Sequence, residues 1–227
     1  MAIAQNTIFE MLRRQLEEPT ISDATGGGSA DANNNFSYDE KKDALKKSQN
    51  YLVNNLNKNY LSPLYKSISI SGSSATLNTQ DTLSPDDVLS VKVTYTEQGT
   101  SSSYYAKFTN IEELGKDLNN SYLKPTKEFP SVYLGPLSGN VDGKTKITIE
   151  PSTNVSSVLI LAIGEPGELT DDNTSYYYLG EETLNALLYY AESELWRNDN
   201  RQQRSKIALE KCFNEIEILN NKYNTEL

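Results

Sequence analysis

The residues that could do chemistry in this chain are few, and their spacing argues against it. There is no histidine, which removes the commonest general base and metal ligand together. Carboxylates remain, in four adjacent pairs: Asp86-Asp87, Glu112-Glu113, Asp171-Asp172 and Glu181-Glu182. Neighbouring side chains point apart on a strand and diverge by about 100° on a helix, so no pair makes a proton-sharing dyad by itself. A hydrolase built on paired carboxylates needs two acids at a working separation, and the spacing supplies none. Asp171-Asp172 reads as linker, and Glu181-Glu182 as the start of a helix, where acids favour the positive dipole end. No series of oxygen ligands closing on a glutamate suits calcium. Gly26–Gly28 are followed by Ser29, Ala30 and Asp31, whereas a phosphate loop runs into Lys-Ser or Lys-Thr at a helix start. Cys212 is the single cysteine. It can form no intrachain disulfide, and its place on an apolar helix face reads as packing. The sequence therefore predicts no enzyme, no cofactor and no metal.

The elements that would hold any site fall into an order of textures: helical at both ends and β-type between. Ile8, Met11, Leu12 and Leu16 share one face of a helix over 5–18. Residues 19–35 are glycine- and asparagine-rich and read as a mobile loop. Ser37 and Glu40 form a capping box for a helix over 37–60. Its stripe is Leu45, Leu52, Leu56 and Tyr60, with Val53 beside it, and it ends at Pro63. From Leu64 the period becomes two. Leu64, Ile68 and Ile70 alternate, as do Leu89, Val91, Val93 and Tyr95, then Tyr104, Ala106 and Phe108. Val132-Tyr133-Leu134 and Ile147-Thr148-Ile149 are further strands, the second after an Asp142-Gly143 hairpin signal. The run 158–163 (VLILAI) is apolar on both faces and predicts the most buried strand. About six short strands are expected, forming an antiparallel sheet or sandwich. Asn110 should cap a short helix lying across it, with Ile111, Leu114 and Leu118 inward.

After 164–180, Leu184, Leu187, Leu188, Ala191 and Leu195 mark a helix over 181–197. Leu209, Cys212, Phe213, Ile216, Leu219 and Tyr223 mark another over 201–223. The short break Asn198-Asp199-Asn200 makes the two an antiparallel hairpin. The fold class expected is α+β: a helical bundle from 1–63 and 168–227, with 64–167 inserted as an antiparallel β-sheet or sandwich module. Tyr176, Tyr177 and Tyr178 are either core rim or an interface, since tyrosine serves both.

Composition narrows the partners. The formal net charge is −10, with 31 acids against 21 bases. A nucleic-acid binder clusters Lys and Arg against phosphates, so no sequence-specific nucleic-acid binding is expected. An acidic surface keeps a protein soluble, and it also makes a wall that DNA slides past. No apolar run reaches the roughly 18 residues of a membrane span. The charged start (Glu10, Arg13, Arg14) does not read as a signal peptide. The Asn-x-Ser/Thr triplets at Asn35, Asn119, Asn154 and Asn173 then reflect composition more than glycosylation, and the chain reads as cytosolic in the cell that makes it.

In this order the motifs resemble one family, the head-to-tail adaptor (connector) proteins of short-tailed bacteriophages, often called tail tubular protein A. The stretches that carry the resemblance are TIFEMLRRQLEE, then FSYDEKKDALKKSQNYLVNNL, then TLSPDDVLSVKVTY and FTNIEELGKDL. A PSVYL strand, KITIEPSTNVSSVLILAI and the closing ETLNALLYYAESELWRNDNRQQRSKIALEKCFNEIEILNNKY complete the series, with ALLYYAESELWRNDN the most characteristic. The glycine-rich loop and the Asn/Lys-heavy composition depart from the family pattern. The resemblance implies a non-enzymatic virion protein at the head–tail junction, made in the host bacterial cytoplasm. Such a protein self-associates as a ring, a dodecamer in the family, below the portal protein, meets other tail or ring proteins, and extends a channel through which DNA passes. It implies contacts at helical ends and C-terminal tails. On this chain those are Asn198, Asp199, Asn200 and Arg201 at the hairpin tip, or 220–227, notably Asn221, Lys222, Tyr223 and Asn224. The alternative from another class is a glycan- or receptor-binding β module carried on a helical stalk.

Overall fold

The computed structural model describes residues 3–18, 35–72, 74–76, 87–136, 145–171 and 175–224. The chain is α+β and divides into two units, Met1–Leu64 with Glu165–Leu227, and Tyr65–Gly164. The glycine-rich loop 19–34, Asp86, the Asp142-Gly143 turn, Asp172, Asn173 and the tail 225–227 lie outside the described residues.

The helical unit contains α1 (Gln5–Gln15), α2 (Tyr38–Asn55), α4 (Leu184–Asn198) and α5 (Gln202–Asn224). α4 packs against α5, α2 and α1, and its Leu184, Ala186, Leu187, Leu188, Ala191 and Leu195 are all buried. Burying each of the leucines contributes about 1.5–3 kcal/mol. α1 stops at Gln15, short of the expected 18, because Glu17 adopts a left-handed φ of 58°. The Glu18 N–H then closes on the Arg13 carbonyl at 3.0 Å, the bond of a Schellman stop. On α1, Phe9 is fully buried and Met11 only half-buried.

α2 opens on the expected capping box. Ser37 Oγ accepts the Glu40 N–H at 3.3 Å, and Glu40 Oε2 accepts the Ser37 N–H at 2.8 Å. The helix ends at Asn55 rather than 60, with Leu56 extended, and a 3₁₀ turn follows over Lys58–Leu64. The asparagines near 55 compete for backbone bonds: Asn57 Oδ1 accepts the Asn59 N–H, and the Asn57 N–H goes to Asn220 Oδ1 at 2.7 Å. Pro63 lies inside the 3₁₀ turn. Leu64 ends that turn and does not open the strand. A 3₁₀ turn, Glu181–Thr183, likewise precedes α4. On α5 the buried line is Ser205, Ala208, Cys212, Ile216 and Leu219, whereas Phe213 is 47% exposed. Phe213 sits one residue, about 100°, off that line.

The β unit is a pair of four-stranded sheets. The strands are β1 (Tyr65–Ser71), β2 (Ser74–Thr76), β3 (Val88–Glu97), β4 (Thr100–Tyr105), β5 (Lys107–Phe108), β6 (Ser131–Pro136), β7 (Thr145–Glu150) and β8 (Val155–Ile163). One sheet has the order β1-β8-β3-β4 and the other β2-β7-β6-β5. Pairing is antiparallel except between β5 and β6, which run parallel, so the second sheet departs from the expected pattern. α3 (Ile111–Asn119) connects those two strands, and a parallel pair needs such a crossover. Asn110 Oδ1 caps α3 by accepting the Glu113 N–H at 2.8 Å. Leu114 faces inward, Leu118 is 40% exposed, contrary to its stripe, and the Ile111 side chain lies outside the described ones.

The inner faces supply one core: Ile70, Val91, Val93, Tyr95, Val132, Ile147, Ile149, Val158, Ile160 and Ala162. The β8 run is central in its sheet but not buried on both faces. Val158, Ile160 and Ala162 point inward, and Leu159, opposite Ser69 and Lys92, is 42% exposed. A sandwich gives each sheet a single inner face, so alternation overrides the apolar run. Tyr65 pairs with Ile163, so the strand that opens the unit and the strand that closes it end side by side. An inserted module needs neighbouring ends of this kind.

Candidate interaction surfaces

The hairpin tip begins where α4 ends. The Asp199 N–H bonds to the Leu195 carbonyl, Asn200 takes a left-handed φ of 58°, and the Arg201 N–H closes on the Trp196 carbonyl at 2.9 Å. Asparagine tolerates that conformation better than most residues, which makes Asn198-Asp199-Asn200 a reversal. All three and Arg201 are exposed. Below them Trp196 is 1% exposed. Its indole N–H donates to Glu192 Oε1 at 3.2 Å, and Phe36 packs on it edge-first with centroids 5.2 Å apart. The Arg201 and Arg204 guanidinium carbons each lie 4.9 Å from the indole centroid. Burial raises the Glu192 carboxyl above its ordinary range, and the Trp196 bond and nearby cations oppose the rise.

At the far end of α5, Asn221, Lys222, Tyr223 and Asn224 do not form a tail after the helix. They are its last turn. Tyr223 packs edge-on against Tyr60 at 4.9 Å, and Lys222 Nζ pairs with Glu182 at 3.2 Å. The stripe reaches Tyr223 as expected, with Tyr60 of the 3₁₀ turn as its partner, so these residues belong to the helix and not to a tail beyond it. This end is tied to the bundle; the tip presents its side chains outward.

The tyrosine run splits. Tyr177 is buried, its hydroxyl sharing a hydrogen bond with Thr183 Oγ1 at 3.0 Å, and burial pushes its ionisation upward. It is core and not interface. Tyr176 and Tyr178 are 54% and 46% exposed. Tyr176 forms an isolated bridge with Ala4. Tyr178 lies over Gly167, where an added Cβ would meet its ring at 2.7 Å, so Gly167 leaves room for the aromatic.

Three features escaped the sequence reading. Lys41 and Glu18 form a fully buried ion pair, and Glu18 Oε1 also accepts the Phe36 N–H at 3.0 Å. A lysine in the first turns of an amphipathic helix reads as solvated, so only its place on the Ala44, Leu45, Ser48 side marked it. The arginine–tryptophan stack needed the hairpin geometry. In the β unit a groove of about 700 Å³ opens beside the Gln98-Gly99 turn, lined by Thr96, Gln98, Ser102, Tyr104, Lys127 and Asn154. Lys127 pairs there with Glu97, which also accepts Asn154 Nδ2 at 2.8 Å.

Among the described residues no group of three or more acidic or thiol side chains could hold a metal, and no helix is long and apolar enough to cross a membrane. Cys212 is fully buried, and burial pushes its thiol up to about 12, with the Glu215 charge adding to it. A thiol held protonated is a poor nucleophile. No family model matches the chain, and no curated protein matches it.

Proposed function

We propose that the protein is a structural ring component of a short-tailed bacteriophage virion. On this reading it assembles below the portal, joins capsid to tail and extends the channel through which DNA leaves. One observation supports it: a helical bundle closed from two distant stretches of chain and interrupted by a β-sandwich, the arrangement along which the motifs resembling the family are laid out. The acidic balance of −10 suits a channel wall that does not hold DNA. The exposed tip Asn198–Arg201 is the portal- or neighbour-facing contact, with Tyr176 and Tyr178 as further anchors on the same unit.

The test is imaging of the full chain mixed with its cognate portal protein. A closed, stoichiometric ring on the portal supports the proposal; no association at micromolar concentrations, on the order of −8 kcal/mol, overturns it. A second reading, a glycan- or receptor-binding β module, is favoured by the polar groove beside the Gln98-Gly99 turn. It requires saturable binding of saccharide by the monomer, abolished by Lys127→Ala, and no ring.

A further inference from the structure

We infer that the arginine-covered tip of the α4–α5 hairpin docks a carboxylate-rich segment of another protein. The inference rests on the connector reading for the kind of partner, and on the arginines for the chemistry of contact.

The chain has five arginines, Arg13, Arg14, Arg197, Arg201 and Arg204, and residues 65–164 contain none. All five therefore belong to the helical unit. Arg13 and Arg14 occupy the last turn of α1, and Glu17 just beyond lies 3.9 Å from Arg204. A chain with ten excess negative charges thus confines its arginines to the helical unit, with Arg197, Arg201 and Arg204 together at the hairpin tip and Arg13 largely buried beside Asp171. Arginine differs from lysine in the planar fork it offers to an oxyanion, so the segregation concerns recognition and not charge alone.

The tip is also pre-organised. Arg201 and Arg204 rest on the Trp196 ring, itself locked by Glu192 and Phe36. Long side chains already held in place lose less entropy on binding. Both remain about half exposed, at 47% and 50%, and Arg197 is 61% exposed. Their own-chain partners are Asp199 on Arg201 Nε at 2.7 Å, Glu17 near Arg204, and Glu194 on Arg197 at 2.5 Å. A guanidinium carries five N–H donors, more than one carboxylate can accept.

The same surroundings disfavour nucleic acid. Asp199, Glu17 and Glu194 already stand against the three arginines of the tip. A duplex carries one charge per roughly 1.7 Å of axis and would lay phosphates across those acids. A peptide can set single carboxylates on the forks.

Trp196 is the only tryptophan, so its fluorescence reads the site directly. The full chain is titrated with an octaglutamate peptide. The expected result is a saturable change in Trp196 emission that weakens as salt rises. Arg201→Gln/Arg204→Gln should lose about tenfold or more in affinity with its far-ultraviolet circular dichroism unchanged. Arg201→Lys/Arg204→Lys, which keeps the charge and loses the fork, should lose roughly threefold. No saturable response, equal binding by the wild type and the Gln pair, or tighter binding of a short DNA duplex than of the peptide overturns the inference. A ring on the portal without a peptide response sinks this inference alone. Peptide binding without a ring supports it and sinks the connector reading alone.

Discussion

In the helical unit the buried polar side chains include Gln5, Glu18, Lys41, Ser48, Gln49, Thr183, Ser193 and Glu194, whereas among the described residues of the β unit they are Thr109 and Ser131. The two units solve different assembly problems. The β unit is one continuous stretch whose sheets are set by alternation, and a one-residue slip would turn Val158, Ile160 and Ala162 outward. The bundle must align stretches more than a hundred residues apart, and an apolar stripe alone tolerates sliding. Its polar contacts sit where those stretches meet: Ser48 Oγ donates to the Leu187 carbonyl at 2.6 Å, and Gln5 Oε1 accepts the Thr170 N–H at 2.8 Å. Lys41 and Glu18 make a more local tie of the same kind, between α2 and the end of α1. Buried polar groups thus mark register in one unit and are nearly dispensable in the other.

The largest test of that contrast is Lys41→Ala, which strands the Glu18 carboxylate in the core. Breaking a buried pair from one side costs about 3–5 kcal/mol, read as a lower urea midpoint of Trp196 fluorescence. Glu18→Leu with Lys41→Met should restore most or all of that stability. If the pair fixes register, amide exchange along α2 should nevertheless become less uniform in the double variant. Unchanged exchange would break the register argument while leaving the energetics intact.

In the β unit the comparable loss must come from packing. Ile160→Ala should cost about 2–5 kcal/mol, measured by calorimetry or by amide exchange of β8. Leu159→Ala, one residue away on the outer face, should stay within about 0.5 kcal/mol. Similar losses at both positions would mean that β8 is covered on both sides, as its composition first indicated. A smaller effect is expected for Ser48→Ala, about 1 kcal/mol, since it removes one hydrogen bond and leaves the Leu187 carbonyl within its helix.

What was legible in the sequence follows the same division. Period and capping foretold α4, the Ser37–Glu40 box and the Asn110 cap, because these depend on neighbours three or four residues away. The β-rich middle was visible from alternation. The Gln98-Gly99 reversal, with both φ positive at 49° and 84°, was missed although X-Gly between alternating runs is a hairpin signal. The parallel β5–β6 pair was not visible, since pairing direction depends on where α3 lands and not on local pattern. At the tip the reversal could be placed from Asn198-Asp199-Asn200. The seating of Arg201 and Arg204 on Trp196 could not, because it requires the helices to cross first. Tyr177 and Tyr178 have the same residue type and opposite fates, which only the fold decides.

The last way to separate the units appears only in alkali and vanishes at neutral pH. In the helical unit burial raises Cys212 from 9.0 to about 12; in the β unit burial, aided by the Glu150 charge, raises Tyr95 from 10.0 to about 12. Both groups are neutral when protonated, so the unfolded chain ionises first and binds fewer protons than the folded one. Stability then falls with rising pH. It is fully present below each group's ordinary value and is lost as pH climbs from there towards the folded value. The helical unit should begin to weaken near pH 9 and the β unit near pH 10; Tyr177, also raised by burial, adds to the former above pH 10. Urea midpoints followed by Trp196 fluorescence should therefore decline before the amide protection of β3 and β8 does. Cys212→Ala should delay the first onset, and Tyr95→Phe the second. If Cys212→Ala left the early decline in place, the thiol would not be its cause, and the separation of the two onsets by these groups would fail.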